Sequence, residues 1–158
     1  MTKARNRGKL QGQRVLKIAG ITPQKKKGLE MERSARYLKG LETMLRIGSR
    51  TDNLGKRWEE FGEIGEDISR YLVEFAFGDI WSRPVLDLKT RRIMVIAMLT
   101  AMGRERQLRS HIAGALAQGL SQEEILETLV HTIPYAGFPA ALTGLEIARE
   151  VFKEQGTP

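Results

Sequence analysis

The sequence predicts an all-α fold, a bundle of about six helices. Apolar residues recur at helical spacing from about Leu29 onward, and no window alternates with period two over a convincing length. Glycine and proline punctuate the chain where helix ends are needed, with serine and aspartate at the matching starts.

The N-terminal stretch stands apart. Residues 1–28 carry nine basic side chains (Lys3, Arg5, Arg7, Lys9, Arg14, Lys17, Lys25, Lys26, Lys27) and no acid. The whole chain has a net charge of +7, yet the remainder holds 17 basic residues against 19 acidic ones. The excess sits in that stretch, which reads as a solvated basic arm, with residues 29–158 as the helical domain. Nucleic acid is expected to bind weakly at most, and only through the arm.

The helices follow in order. "LEMERSARYLKGLETMLRIG" puts Met31, Ala35, Leu38, Leu41 and Leu45 on one stripe and closes at Gly48. Thr51, Asp52 and Asn53 mark a connection into "KRWEEFGEIGEDISRYLVEFAFGDIW", whose expected buried face is Trp58, Phe61, Ile64, Ile68, Tyr71, Leu72 and Phe75. Gly62 and Gly65 weaken that helix and point to a bend or close packing. Pro84 turns the chain, Asp87 caps "LKTRRIMVIAMLTAM", and Gly103 ends it. Arg91 and Arg92 read as first-turn residues of that helix or as half of a salt bridge between subunits.

Leu108, Ile112, Ala115 and Leu116 define the next helix, which stops at Gly119. Ser121 and Glu124 form a capping box that opens "QEEILETLVHTIPYA". Pro134 is expected to break or kink that helix just before Tyr135, and its end is expected near Gly137. Pro139 suits the first turn of the last helix, "AALTGLEIAREVFKEQ".

Composition excludes several chemistries. The absence of cysteine removes disulfides, thiolate metal sites, a cysteine nucleophile and Cys-dependent peroxidase activity. Two histidines twenty residues apart give no support for a metal site. Apolar runs fall short of the roughly 20 residues that cross a bilayer, and no signal-peptide pattern is present, so no membrane role and a cytoplasmic location are expected.

His111 is the candidate that carries chemistry. It lies on or beside the apolar side of its helix, where an aliphatic side chain would pack better, and its unperturbed pKa suits proton transfer near neutrality. A core histidine hydrogen-bonded to backbone or carboxylate is the other reading. Arg109, Arg106 and Arg83 are nearby cations, and a guanidinium holds a carboxylate bidentately. Trp81 and Tyr135 can wall a pocket or serve as core or interface anchors. His131 sits one turn after Glu127 and one turn before Tyr135, which suits a structural ladder or a site.

Three blocks resemble a known family. They are the Ile80-Trp81-x-Arg83-Pro84 turn, the His111-x-x-x-Ala115…Gly119-x-Ser121-x-x-Glu124-Ile125 block, and the Tyr135-x-Gly137-x-Pro139-x-Ala141 stretch. Over roughly residues 30–154 the chain resembles the carboxymuconolactone decarboxylase family. The resemblance implies helical subunits that assemble as homotrimers or homohexamers, active sites at or near subunit contacts, and a reaction without metal or organic cofactor. Peroxidases of the same superfamily carry a Cys-x-x-Cys pair where Arg104 and Gln107 stand. Many members keep a glutamate where this chain has Arg92; Phe77 replaces a usual tryptophan and Val85 a usual glycine.

The implied activity is decarboxylation of a small anionic lactone or dicarboxylic acid from aromatic-compound catabolism. The reference case is 4-carboxymuconolactone, converted to 3-oxoadipate enol-lactone. In that reading His111 donates the proton and Arg83 or Arg109 clamps a carboxylate, while Trp81, Tyr135 and His131 help to bind substrate. The alternative expectation is a non-catalytic helical oligomer whose basic arm binds an acidic partner or nucleic acid.

Overall fold

The computed structural model describes residues 2–21, 25–26, 29–30, 33–49, 51, 54 and 56–156. The chain adopts the all-α fold the sequence predicts; among the described residues extended pairing is limited to Lys25–Lys26 against Leu29–Glu30. Met31, Asp52 and Asn53, named above, lie outside the described residues. Two compact units divide the chain, Met1–Pro84 and Val85–Pro158.

In the first unit, helix α1 (Thr2–Ile18) occupies most of the basic stretch, and Val15, Leu16 and Ala19 join an apolar cluster with Tyr37, Leu41, Met44, Leu54 and Val73. Helix α2 (Ala35–Arg46) starts later than the apolar stripe suggests, because Ser34 caps it by accepting the Tyr37 N–H at 3.0 Å. Its inward line is Tyr37, Leu41 and Met44.

The segment expected to form one helix over residues 56–81 does not. A single 3₁₀ turn, Glu59–Phe61, ends at Gly62, whose φ of 55° and ψ of −129° suit glycine and break the helix. Helix α3 (Glu63–Tyr71) then continues into a π-helical stretch, Leu72–Trp81. The expected buried face is corrected as well. Phe61, Ile64, Ile68, Tyr71 and Phe75 are exposed, Ile64 by 68%.

Small residues take the inward side instead. Gly65 lies against the Trp58 carbonyl, where a Cβ would stand 1.9 Å from the oxygen. One turn on, the Ser69 hydroxyl donates to the Leu54 carbonyl at 2.9 Å, and a turn later Val73 is fully buried. The π-helical stretch then meets α2 backbone to backbone: a Cβ on Gly40 would stand 2.1 Å from the Val73 carbonyl oxygen. The Arg36 guanidinium grips Asp79 across the same contact and holds its carboxyl below the usual range.

The second unit follows its sequence signals closely. Helix α4 (Leu88–Ala101) is capped by Asp87, which accepts the Thr90 N–H at 2.8 Å. Helix α5 (Glu105–Ala117) buries Leu108, Ile112 and Ala115. Helix α6 (Gln122–His131) opens on the Ser121–Glu124 capping box, both halves of which form. Pro134 does break the helix: α6 ends at His131, and the proline sits in the first turn of α7 (Ile133–Glu154). Gly137, with φ 82° and ψ 164°, kinks α7 two residues before Pro139.

Beyond the kink, Ala141, Gly144, Ala148 and Val151 line the buried side of α7. A Cβ on Gly144 would reach Leu129 at 2.9 Å and Thr100 at 3.2 Å, so this small residue lets α4 and α6 close on α7. Ile96, Ile112, Ile125 and Leu129 complete the core, fully buried. Among the described residues no helix is long and apolar enough to cross a membrane.

The packing of α2 on Val73 leaves no room for a methyl group. Gly40→Ala is expected to lower unfolding stability by about 1–3 kcal/mol, the usual cost of overpacking, in urea titrations against wild type.

Candidate active site

His111 projects from the middle of α5, one turn after buried Leu108 and next to buried Ile112. Its ring is half-buried, and its Nδ1 lies 2.9 Å from Nη1 of Arg92 on α4. Arg92 is only 2% exposed. Its Nε–H donates to Gln118 Oε1 at 3.2 Å, at the end of α5. Gly114 leaves the space the guanidinium fills: a Cβ there would stand 3.1 Å from Cζ and from both terminal nitrogens.

Electrostatics follows from that enclosure. Burial, and then the neighbouring Arg92 charge, push the His111 pKa down to about 4. Burial also pulls Arg92 down to about 10, which leaves it protonated at neutral pH. At pH 7 a neutral imidazole therefore rests against a buried cation. The proton that ring has to offer is its single N–H.

The other expected site residues are placed differently. Arg109, two residues before His111 on α5, binds Glu150 and bridges to Glu154 on α7 at 3.0 Å. His131 ends α6 exposed, with its ring tilted against that of Tyr135 at 5.6 Å. Tyr135 is itself 80% exposed. Trp81 and Arg83 belong to the first unit. Trp81 is half-buried, with its ring tilted against Phe77 at 5.9 Å, and Arg83 is exposed in the turn, its backbone N–H on the Ile80 carbonyl. The structure thus brings Arg92, not Arg109, to His111.

The sequence reading took Arg92 for a first-turn or interface residue and passed over Gln118. Helical spacing held a usable signal: His111, Gly114 and Gln118 share one face of α5, with a gap at Gly114 large enough for a planar group. A recess of about 240 Å³ also opens in this unit, lined by Leu99, Thr100, Leu108, Pro139 and Thr143. His111 is not part of its lining, and the Thr100 and Thr143 hydroxyls are engaged by helix carbonyls.

The all-helical fold and the buried imidazole–guanidinium pair can be set beside known proteins. The family model described as Carboxymuconolactone decarboxylase family matches residues 66–150. The chain is 36% identical over 131 residues to a 4-carboxymuconolactone decarboxylase of Acinetobacter baylyi, covering 80% of this chain and 93% of that protein. It is 38% identical over 86 residues to an uncharacterised 15.0 kDa protein of Paracoccus denitrificans, covering 53% and 64% of the two chains. A nitrosuccinic acid decarboxylase of Metarhizium robertsii is 26% identical over 116 residues, covering 68% and 79%. The chain belongs to the carboxymuconolactone decarboxylase family.

The pKa of His111 links to stability. Burial and the Arg92 charge hold the folded ring's pKa at about 4, below the ordinary value of 6.5, so between those values the unfolded chain holds more protons. Its contribution is full above pH 6.5 and is lost as pH falls toward 4. Urea midpoints measured from pH 7 to 4 are expected to fall more steeply for wild type than for His111→Gln.

Proposed function

We propose that this chain is a cofactor-independent carboxy-lyase acting on a small ring-derived acid, with 4-carboxymuconolactone or a close relative as substrate. The observation that carries the proposal is the His111–Arg92 pair, which lies within the residues the family model matches. The 36% identity to a 4-carboxymuconolactone decarboxylase supports the choice of lactone, and the nitrosuccinic acid decarboxylase supports the wider class of small dicarboxylic acids.

In this reaction the bond between ring carbon and carboxylate breaks and CO2 leaves. The electron pair passes through the ring double bond toward the lactone carbonyl, so that the double bond shifts to the carbon that lost CO2, and a proton adds to the ring carbon next to the carbonyl. The task needs a donor near the developing charge and exclusion of water from the departing carboxylate. His111 suits the first need. Arg83 or Arg109 serves as the carboxylate clamp; Arg109 would have to release Glu150 and Glu154 to do so. Trp81, Tyr135 and His131 complete the proposed binding set.

The proposal includes assembly of the chain as a homotrimer or homohexamer. Its support is Phe61, Ile64, Ile68, Tyr71 and Phe75, five large apolar side chains left exposed in a single chain. Sedimentation of the purified protein is expected to give an oligomer, and Ile68→Asp combined with Phe75→Asp a smaller species. A wild-type monomer at micromolar concentration removes the assembly claim.

Incubation with 4-carboxymuconolactone is expected to release CO2 and form the enol-lactone, with His111→Ala lowering kcat by about 10²–10⁴-fold. Absence of turnover by wild type on this lactone and on nitrosuccinate would sink the decarboxylase reading and favour a non-catalytic shell. Full turnover by His111→Ala would remove His111 from the site.

A further inference from the structure

We infer that Arg92 is a positioning residue: its guanidinium fixes His111 as the neutral tautomer with its proton on Nε2, so that the ring works as a hydrogen-bond donor to a developing oxyanion. The inference deepens the decarboxylase reading and rests on it for the identity of the oxyanion.

The geometry leaves one assignment. A guanidinium has five N–H donors and no acceptor, so the 2.9 Å contact is an Arg92 N–H donating to an unprotonated His111 Nδ1. The single proton of the neutral ring then belongs to Nε2. The guanidinium cannot swing aside freely, since Gln118 holds its Nε–H and the gap at Gly114 matches its plane. Protonating Nδ1 would set an N–H against an N–H and a cation against a cation.

Other charges do not undo this. Arg92 is the charged group acting on the ring from α4. On the other helices packed against α5, Glu150 and Glu154 of α7 engage Arg109, and Glu124 of α6 engages Lys89. The depressed pKa of the ring agrees with this setting.

The consequence for the reaction is specific. As the carboxylate departs as CO2, the electron pair moves through the ring double bond onto the lactone carbonyl oxygen, and Nε2–H hydrogen-bonds that oxygen while keeping its proton. Carbon is then protonated by a proton drawn from solvent. Atoms and charge balance without oxidant or reductant. A neutral donor of this kind stays in working form well below pH 6.5, where an imidazole with an ordinary pKa would be charged.

The test uses the ¹⁵N-labelled full chain and needs no substrate for its first arm. Ring nitrogen shifts are expected to show Nδ1 unprotonated and Nε2 protonated from pH 8 to about pH 5. In Arg92→Met the tautomers mix and the His111 titration rises by about one unit or more. In the second arm, Arg92→Met lowers kcat for 4-carboxymuconolactone by about ten-fold or more, with a smaller change in KM. It also moves the acidic limb of the pH profile upward together with the His111 titration, and Arg92→Lys falls between the two.

If Arg92→Met does not fold, Gly114→Ala serves. It improves helix propensity, yet crowds the guanidinium, and it is expected to raise the His111 titration by a smaller amount. A protonated Nδ1 in wild type, or an unchanged tautomer and titration in the folded variants, overturns the inference even if the lactone is turned over. The expected ring shifts with no turnover by wild type uphold the placement of the ring by Arg92 and overturn the decarboxylase reading.

Discussion

A buried guanidinium held against a neutral imidazole is the constraint on which the second unit depends. Arg92 carries its charge into a place with almost no access to water, and such a group is tolerated where geometry satisfies its donors. Gln118 accepts one, His111 another, and the missing side chain of Gly114 supplies the volume. In turn the cation decides which protonation state of the ring survives. Packing and chemistry are one arrangement here.

Much of the second unit was legible in the amino-acid order because its signals are local. Asp87 and the Ser121–Glu124 box name their helix starts through bonds made within three residues, and Pro134 and Gly137 interrupt the chain by their own backbone limits. His111 stood out as a polar residue on or beside an apolar face. Its partner did not, since the Arg92–His111 contact spans 19 residues and joins two helices. Spacing along one helix suggested Arg109, whose guanidinium instead reaches two carboxylates on α7.

The first unit shows the opposite failure. The periodicity of residues 61–75 suggests one helix with a large apolar buried face, whereas the chain breaks at Gly62 and the side that turns inward is the one with the smallest residues. Gly65, Ser69, Val73 and Gly78, with Gly40 across from them, allow backbone-to-backbone approach, and the large apolar side chains are left outside. Hydrophobic patterning reports which residues avoid water; it does not say whether the cover comes from the same chain.

The gap at Gly114 ties two positions together. A hydrogen at position 114 and an arginine at position 92 share one small volume, so any larger residue at 114 crowds the cation, and any shorter residue at 92 leaves a void over the glycine. Positions 92 and 114, 22 residues apart, are therefore coupled through the volume they share.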